Sequence, residues 1–444
     1  MIYNPLFRVI VLLVMSWFFK IILPTKVRNF LTPWCFALSL IHQNIVPFIA
    51  GFPHFALMAL YWVEIAILLN GCKLSSLRHN SVMKAFLVFW GYLTLSAMLC
   101  DYPRYGVLYY MNALLELVLV GYYVGIWAIT TEDGLVRLFR AVVIIAIIPI
   151  MFYVRYGAGG ELDSAGRIVL DQDIVEEGLG QNVNGIALAL APIIVCLLIF
   201  VTFDSTVKKT HPVLKMWAII MLMASSFFLL RTGSRNGTLV LVPCAYFIYK
   251  KLATSRQKNS FLVFLILIGA LAVGWIVSSQ AGGIRALSLT FESSGAADLD
   301  SFSSGRVSIF RNLLSRMNGL DYFLGKGPLV VRNDNEYAVL GAMSIYVTVY
   351  HNTGVIGCSL LLIYFSMMFY TTRRIGNIGL IAFLFFAAWA ITGVAEDSGL
   401  GRGHSIRMIQ GVSLALCSKL LSQRRNQMRY TTSVFQPMEY YRSF

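Results

Sequence analysis

Two arginines bracket a small turn in Leu230-Arg231-Thr232-Gly233-Ser234-Arg235-Asn236-Gly237. Glycine and serine let the backbone turn tightly, and the next helix is expected to begin near Asn236. Unbonded N–H groups at a helix start and a planar guanidinium both favour a phosphate oxyanion. Arg231 and Arg235 are therefore candidate anion-binding residues. A second cationic cluster follows: Ser303-Ser304-Gly305-Arg306, then Arg311 and Arg316, then Leu324-Gly325-Lys326-Gly327-Pro328. Arg306 and Arg311 join the same set, Arg306 because the Ser-Ser-Gly turn can aim it inward. The competing reading for these side chains is snorkelling to lipid headgroups.

Chemistry at a phosphate or sugar also needs a group that moves a proton. Arg332-Asn333-Asp334-Asn335-Glu336-Tyr337 supplies Asp334 and Glu336, and His351-Asn352-Thr353-Gly354 supplies His351. These are the candidate catalytic bases; for each the competing reading is a surface or capping residue. Glu64 and Glu116 fall inside apolar runs, where ionised groups are costly and often functional, but no Lys or Asp neighbours them to form a relay.

The elements that must hold these groups are apolar runs. The chain has 444 residues, 58% hydrophobic and 13% charged, against about a quarter charged in a typical soluble protein. Crossing a bilayer takes about 20 residues at ~1.5 Å rise each, and runs of that size recur. Candidate spans are 6–23, 30–50, 55–70, 83–100, 106–130, 138–154, 185–203, 213–230, 236–252, 261–279, 353–371, 377–394 and 404–422. The second and third crowd around Gly51–Pro53, so one re-entrant segment would reduce thirteen spans to twelve. The expected fold is an all-α, polytopic integral membrane bundle. Residues 1–279 form its first spans with an outward loop at 155–184, residues 280–352 a large outward loop, and residues 353–444 the last spans with a basic tail.

Charge orients the bundle. Lys26/Arg28, Lys73/Arg78/Lys84, Arg137/Arg140, Lys208/Lys209/Lys215, Lys250/Lys251/Arg256/Lys258 and Arg373/Arg374 mark short basic loops, which face the cytoplasm. Both long loops and the Arg231–Arg235 turn then face outward, and chemistry is expected there. The same rule accounts for the net charge of +15, so nucleic acid is not expected as a partner. Seven cysteines stand singly without paired spacing, so neither a zinc site nor a disulfide framework is indicated. From Val307 to Met317, Ile309, Phe310, Leu313, Leu314 and Met317 fall largely on one helical face, with Arg311 and Arg316 on the polar side. Such a helix would lie along the membrane surface.

Five short features follow one another between about residues 180 and 400. They are Asn182-Val183-Asn184-Gly185, Thr232-Gly233-Ser234-Arg235-Asn236-Gly237, Ser304-Gly305-Arg306, Gly325-Lys326-Gly327, and Tyr346 with Gly354-Val355-Ile356-Gly357. In this order against the spans they resemble the O-antigen polymerase/O-antigen ligase superfamily of bacterial inner-membrane glycosyltransferases. The resemblance implies a GT-C-like bundle of about twelve to thirteen helices with a large periplasmic loop. It implies an undecaprenyl-diphosphate-linked oligosaccharide as substrate, no cofactor or metal, membrane lipids as surroundings, and a chain-length-regulating co-polymerase as partner. Arg235 and Arg306, with Arg231 and Arg311 beside them, would bind the diphosphate, and Glu336, Asp334 or His351 would deprotonate the acceptor hydroxyl. Ligases of this superfamily carry a His-Asn pair eleven residues before the first glycine of a Gly-Ile-Ile-Gly element. Here that offset from Gly354 lands on Met343-Ser344, and His351-Asn352 sits beside the glycine instead. The resemblance therefore favours a polymerase, with ligase the nearest alternative. A lipid-linked sugar transporter or flippase is the alternative from another class; internal repeats with interrupted helices would mark it, and none is found.

Overall fold

The computed structural model describes residues 14, 17–42, 81–115, 121–156, 183–202, 211–231, 235–252, 254–260, 262–263, 306–333, 336–340, 344–373, 376–394 and 406–418. Its helices are α1 (Thr25–His42), α2 (Ser81–Ser96), α3 (Pro103–Leu115), α4 (Tyr123–Thr130), α5 (Gly134–Ile145), α6 (Ile147–Tyr156), α7 (Val183–Thr202), α8 (Pro212–Arg231), α9 (Arg235–Leu239) and α10 (Leu241–Lys251). After these come α11 (Arg306–Ser315), α12 (Asp321–Leu324), strands β1 (Leu329–Asn333) and β2 (Glu336–Leu340), then α13 (Ile345–Arg373), α14 (Gly376–Thr392) and α15 (Ile406–Ser418).

Among the described residues four helices are long and apolar enough to cross a membrane: Ser81–Leu99, Gly134–Met151, Pro212–Leu230 and Ile345–Arg373. Leu190–Thr202, Ile378–Thr392 and Ile406–Ser418 are shorter apolar helices. A helix satisfies its backbone within the segment, which lipid requires. The outer face of α8 is written for lipid. Val213, Met216, Ile220, Met223 and Phe227 recur every three or four residues, and all are exposed, Met223 by 68%. In water such a stripe would be an association surface; in a bilayer it meets acyl chains. The expected spans 55–70 and most of 261–279, with Glu64 and Glu116, lie outside the described residues.

The bundle is built around α7. Every residue from Leu190 to Phe200 whose side chain is apolar is buried, the mark of a helix covered on all sides. Helices α1, α5, α6, α8, α9, α10 and α14 surround it. Elsewhere small residues let helices touch. A Cβ on Gly121 would lie 2.6 Å from the Met408 carbonyl oxygen, and one on Gly125 would lie 2.5 Å from the Ala415 Cβ. Gly121 and Gly125 on one side, and Gly411 and Ala415 on the other, share the four-residue spacing that lets membrane helices pack closely.

Several expected boundaries move. Helix α1 begins at Thr25, so Lys26 and Arg28, read as a loop, ride on its first turn. The expected span 138–154 starts four residues earlier, at Gly134, and passes through a turn at Ala146. The expected span 236–252 is interrupted at Val240. Within the expected span 106–130 the described residues form α3 and α4, and residues 116–120 between them lie outside the described residues. The all-α expectation gains a small antiparallel hairpin, β1 with β2, pairing Asn333 with Glu336 and Leu329 with Leu340. Val330, Val331 and Val339 are β-forming residues; Asp334 and Asn335 lie outside the described residues.

The largest correction is at α13. Residues 344–350 were expected in the loop, with a domain boundary at 352/353, but the helix already begins at Ile345. Its start is fastened to the end of α14: the Ile345 N–H donates to the Gly393 carbonyl at 2.8 Å, and the Tyr346 hydroxyl to the Ala390 carbonyl at 2.8 Å. Gly354 then breaks the helix at φ 60°, ψ −160°, a conformation only glycine adopts at no cost. Polar residues ending in glycine read as a loop, whereas in the fold they form a helical turn above a break.

Aromatic rings knit this region together. Tyr364 packs on Trp389 and on Phe86, Phe86 on Trp90, and Trp90 edge-on to Tyr110, with centroids 5.5–6.4 Å apart. Such pairs contribute beyond simple burial. The chain of rings runs from the middle of α13 through α2 to Tyr110 on α3, and it fixes where the Tyr110 hydroxyl stands.

Candidate functional site

The break at Gly354 organises a site. It leaves the carbonyls of His351 and Asn352 to partners outside the helix, and the Gly325-Lys326-Gly327 loop supplies them. The Lys326 N–H donates to the His351 carbonyl at 2.8 Å, and the Gly327 N–H to the Asn352 carbonyl at 3.1 Å. The approach is close enough to need glycine. A Cβ on Gly325, at φ +82°, would lie 2.2 Å from both the Asn352 oxygen and the Thr353 nitrogen. A Cβ on Gly354 would lie 2.4 Å from the Phe323 carbonyl. On the other side, Gly327 abuts the Ser96 carbonyl and the Cys100 nitrogen at the α2–α3 corner. The Tyr92 hydroxyl donates to the Leu324 carbonyl at 3.3 Å. The loop is thus clasped between the broken helix and the α2–α3 corner.

His351 sits under this clasp, only 3% exposed. Its Nδ1 lies 2.8 Å from the Asn352 Oδ1, and the Asn352 Nδ2 donates to the Tyr110 hydroxyl. The Nε2 is buried and has no hydrogen-bond partner among the described residues. A buried polar atom left unpaired costs about 1–3 kcal/mol, so such an atom in a folded protein calls for an explanation. The charged groups whose fields reach the imidazole are Lys326, Arg316 and Asp321. The Lys326 Nζ donates to the Arg316 carbonyl at 2.9 Å, and the Arg316 Nε to the Asn312 Oδ1 at 3.2 Å. Both cations are exposed, and these bonds tie Lys326 to Arg316 and Arg316 to α11. The neighbouring Cys100 is not a competing nucleophile. Burial pushes its thiol up, and its Sγ bonds to the Ala97 carbonyl.

The residues expected from sequence fare differently. His351, expected in a loop, is a helical residue and nearly fully buried. Arg311 lies on α11 and is exposed, as its place on the polar face requires. Opposite it, Leu313 and Met317 are buried, and α11 packs against α13. The amphipathic face thus meets protein. Arg306 opens α11, Arg235 opens α9, Arg231 closes α8 and Glu336 opens β2; the side chains of these four, and Asp334 altogether, lie outside the described residues. The described geometry therefore joins His351 with Arg316 and Lys326, and brings the helix of Arg311 alongside.

Tyr110 was not singled out from sequence, because nothing local ties it to Asn352, 242 residues away. Lys326 was visible only as part of a glycine motif. Arg407 was also passed over: it is buried on α15, where a charge in an apolar helix draws notice. The Gln410 amide and the Tyr364 hydroxyl lie near one another, short of hydrogen-bond geometry. Among the described residues no group of three or more His, Cys, Asp or Glu could hold a metal ion. No known family model and no curated protein matches this chain.

Proposed function

We propose that this chain is a membrane glycosyltransferase that joins lipid-linked oligosaccharide repeats into a surface polysaccharide, as O-antigen polymerases do. The observation that carries the reading is the buried Nε2 of His351, without a hydrogen-bond partner among the described residues, under the clasped Gly325-Lys326-Gly327 loop on a membrane-length helix. That pairing of groups suits a glycosyl transfer. A hydroxyl of the acceptor sugar attacks the anomeric carbon of the donor glycan. Its proton passes to the His351 Nε2, and the bond from the anomeric carbon to the diphosphate oxygen breaks, with the electron pair leaving on undecaprenyl diphosphate. Lys326 and Arg316, with Arg235, Arg306, Arg231 and Arg311 from the sequence reading, stabilise the charge that develops on the leaving diphosphate. On this reading His351 is the base, ahead of Asp334 and Glu336. The active face is extracytoplasmic, the membrane is the bacterial inner membrane, and a chain-length-regulating co-polymerase acts beside the enzyme.

The same imidazole would serve a ligase, which differs only in its acceptor, lipid A core. The offset of His351-Asn352 from the ligase spacing favours the polymerase. A host deleted for the gene separates the readings. Single repeats on lipid A core are the expected result. Bare core with polymer stranded on undecaprenyl diphosphate would mean a ligase, and no repeats on the outer leaflet a flippase. Complementation with Arg235→Ala or Arg306→Ala is expected to restore protein but not polymer; full-length ladders from both would refute the diphosphate role.

A further inference from the structure

We infer that Tyr110 and Asn352 are positioning residues that hold His351 in one tautomer, with the proton on Nδ1 and the Nε2 lone pair free for a sugar hydroxyl. The inference rests on the proposed reaction only for its activity readout. The chain of contacts runs Tyr110 hydroxyl, Asn352 amide, His351 imidazole, and each link constrains the next. An amide oxygen only accepts hydrogen bonds and an amide nitrogen only donates. With the Asn352 Nδ2 spent on Tyr110, the Oδ1 faces the imidazole. The Nδ1 it meets must then carry the hydrogen. In a neutral ring the other nitrogen is left as the acceptor, and that nitrogen, Nε2, is the one without a partner among the described residues.

The anchor at the far end is rigid. Tyr110 is fully buried, edge-on to Trp90 and packed against Tyr109, on a helix that also supports the β1–β2 hairpin. Asn352 cannot drift either, because its carbonyl is held by the Gly327 N–H. Were the amide turned over, its NH₂ would face Nδ1, and the hydrogen would move to Nε2. The imidazole could then accept no proton from a hydroxyl on that side. The clamp thus decides whether His351 is a base or a donor, without itself touching substrate.

The test is ¹⁵N NMR of the full chain, labelled at histidine and reconstituted in lipid nanodiscs. His351 is assigned among the six histidines by the signal lost in His351→Gln. Wild type is expected to show a protonated Nδ1 and an unprotonated Nε2 at neutral pH. Tyr110→Phe keeps the ring and its packing but frees the amide, and is expected to give mixed tautomers. Asn352→Asp restores a pure acceptor and is expected to restore the Nδ1–H form even beside Tyr110→Phe. Polymer formation in Tyr110→Phe should fall by about two- to tenfold, the weight of one lost orienting hydrogen bond, with the acidic limb of its pH profile displaced. A protonated Nε2 in wild type, or an unchanged tautomer in Tyr110→Phe, would overturn the clamp whether or not polymer is made. Absence of polymerase activity with the Nδ1–H form intact would overturn the reaction and leave the clamp standing.

Discussion

Replacing His351 with glutamine is expected to lower polymer formation by about 10²–10⁴-fold, the usual contribution of a positioned general base, while protein accumulates normally. Glutamine keeps a polar side chain beside Asn352 but has no nitrogen that takes a proton near neutral pH. Among the described residues the buried Nε2 has no hydrogen-bond partner, and a buried polar atom left so weakens a fold by about 1–3 kcal/mol. Groups kept at such a cost are commonly held for function. The loss should fall on turnover rather than on substrate binding, because Lys326 and Arg316 remain. The check is the rate of ladder formation in membranes from the complemented deletion host. Wild-type ladders from His351→Gln would remove the histidine from the chemistry and return the role to Glu336 or Asp334.

Gly325→Ala is expected to unfasten the clasp. The residue sits at φ +82°, and its new Cβ would lie 2.2 Å from the backbone of Asn352 and Thr353. Backbone atoms cannot swing aside as a side-chain tip can. Strain at such a dihedral costs about 1–3 kcal/mol, and overpacking adds about 1–3 kcal/mol. Relief requires the loop to lift, which breaks the two hydrogen bonds to the carbonyls of His351 and Asn352 and carries Lys326 away from the imidazole. Both the melting temperature of the purified protein and its polymer formation should fall. Gly319→Ala is the control. Its φ is +49°, but nothing lies within 4 Å of the added carbon, so the cost is the dihedral alone, about 1–2 kcal/mol, and activity should persist. Equal effects from the two substitutions would argue that the clasp has no part in the site.

Much of the scaffold was legible because lipid demands length and apolarity, and both are written in composition. The span expected at 213–230 is α8 to within a residue at each end, and those expected at 185–203 and 377–394 fall on α7 and α14. Legibility failed where polar residues enter a helix for a local purpose. His351, Asn352, Thr353 and Gly354 have the composition of a loop, and only their contacts with Gly325-Lys326-Gly327 show why a helix breaks there. The glycines of these two motifs were noticed as marks of resemblance; their reason is that two backbones touch. Tyr110 carries no local sign at all, since its partner is brought to it by the packing of α2 on α13 and of α3 on α2. The same holds for Gly121 and Gly125, whose small size matters only against Gly411 and Ala415.

Transfer of glycan from one lipid diphosphate to another is the reaction proposed for this membrane protein. The most direct measurement places the purified full chain in liposomes with undecaprenyl-diphosphate-linked repeat units and no nucleotide sugar. The account predicts longer lipid-linked glycans, with one undecaprenyl diphosphate released for each repeat joined. Repeats that stay single, or that only cross the bilayer unchanged, would contradict it.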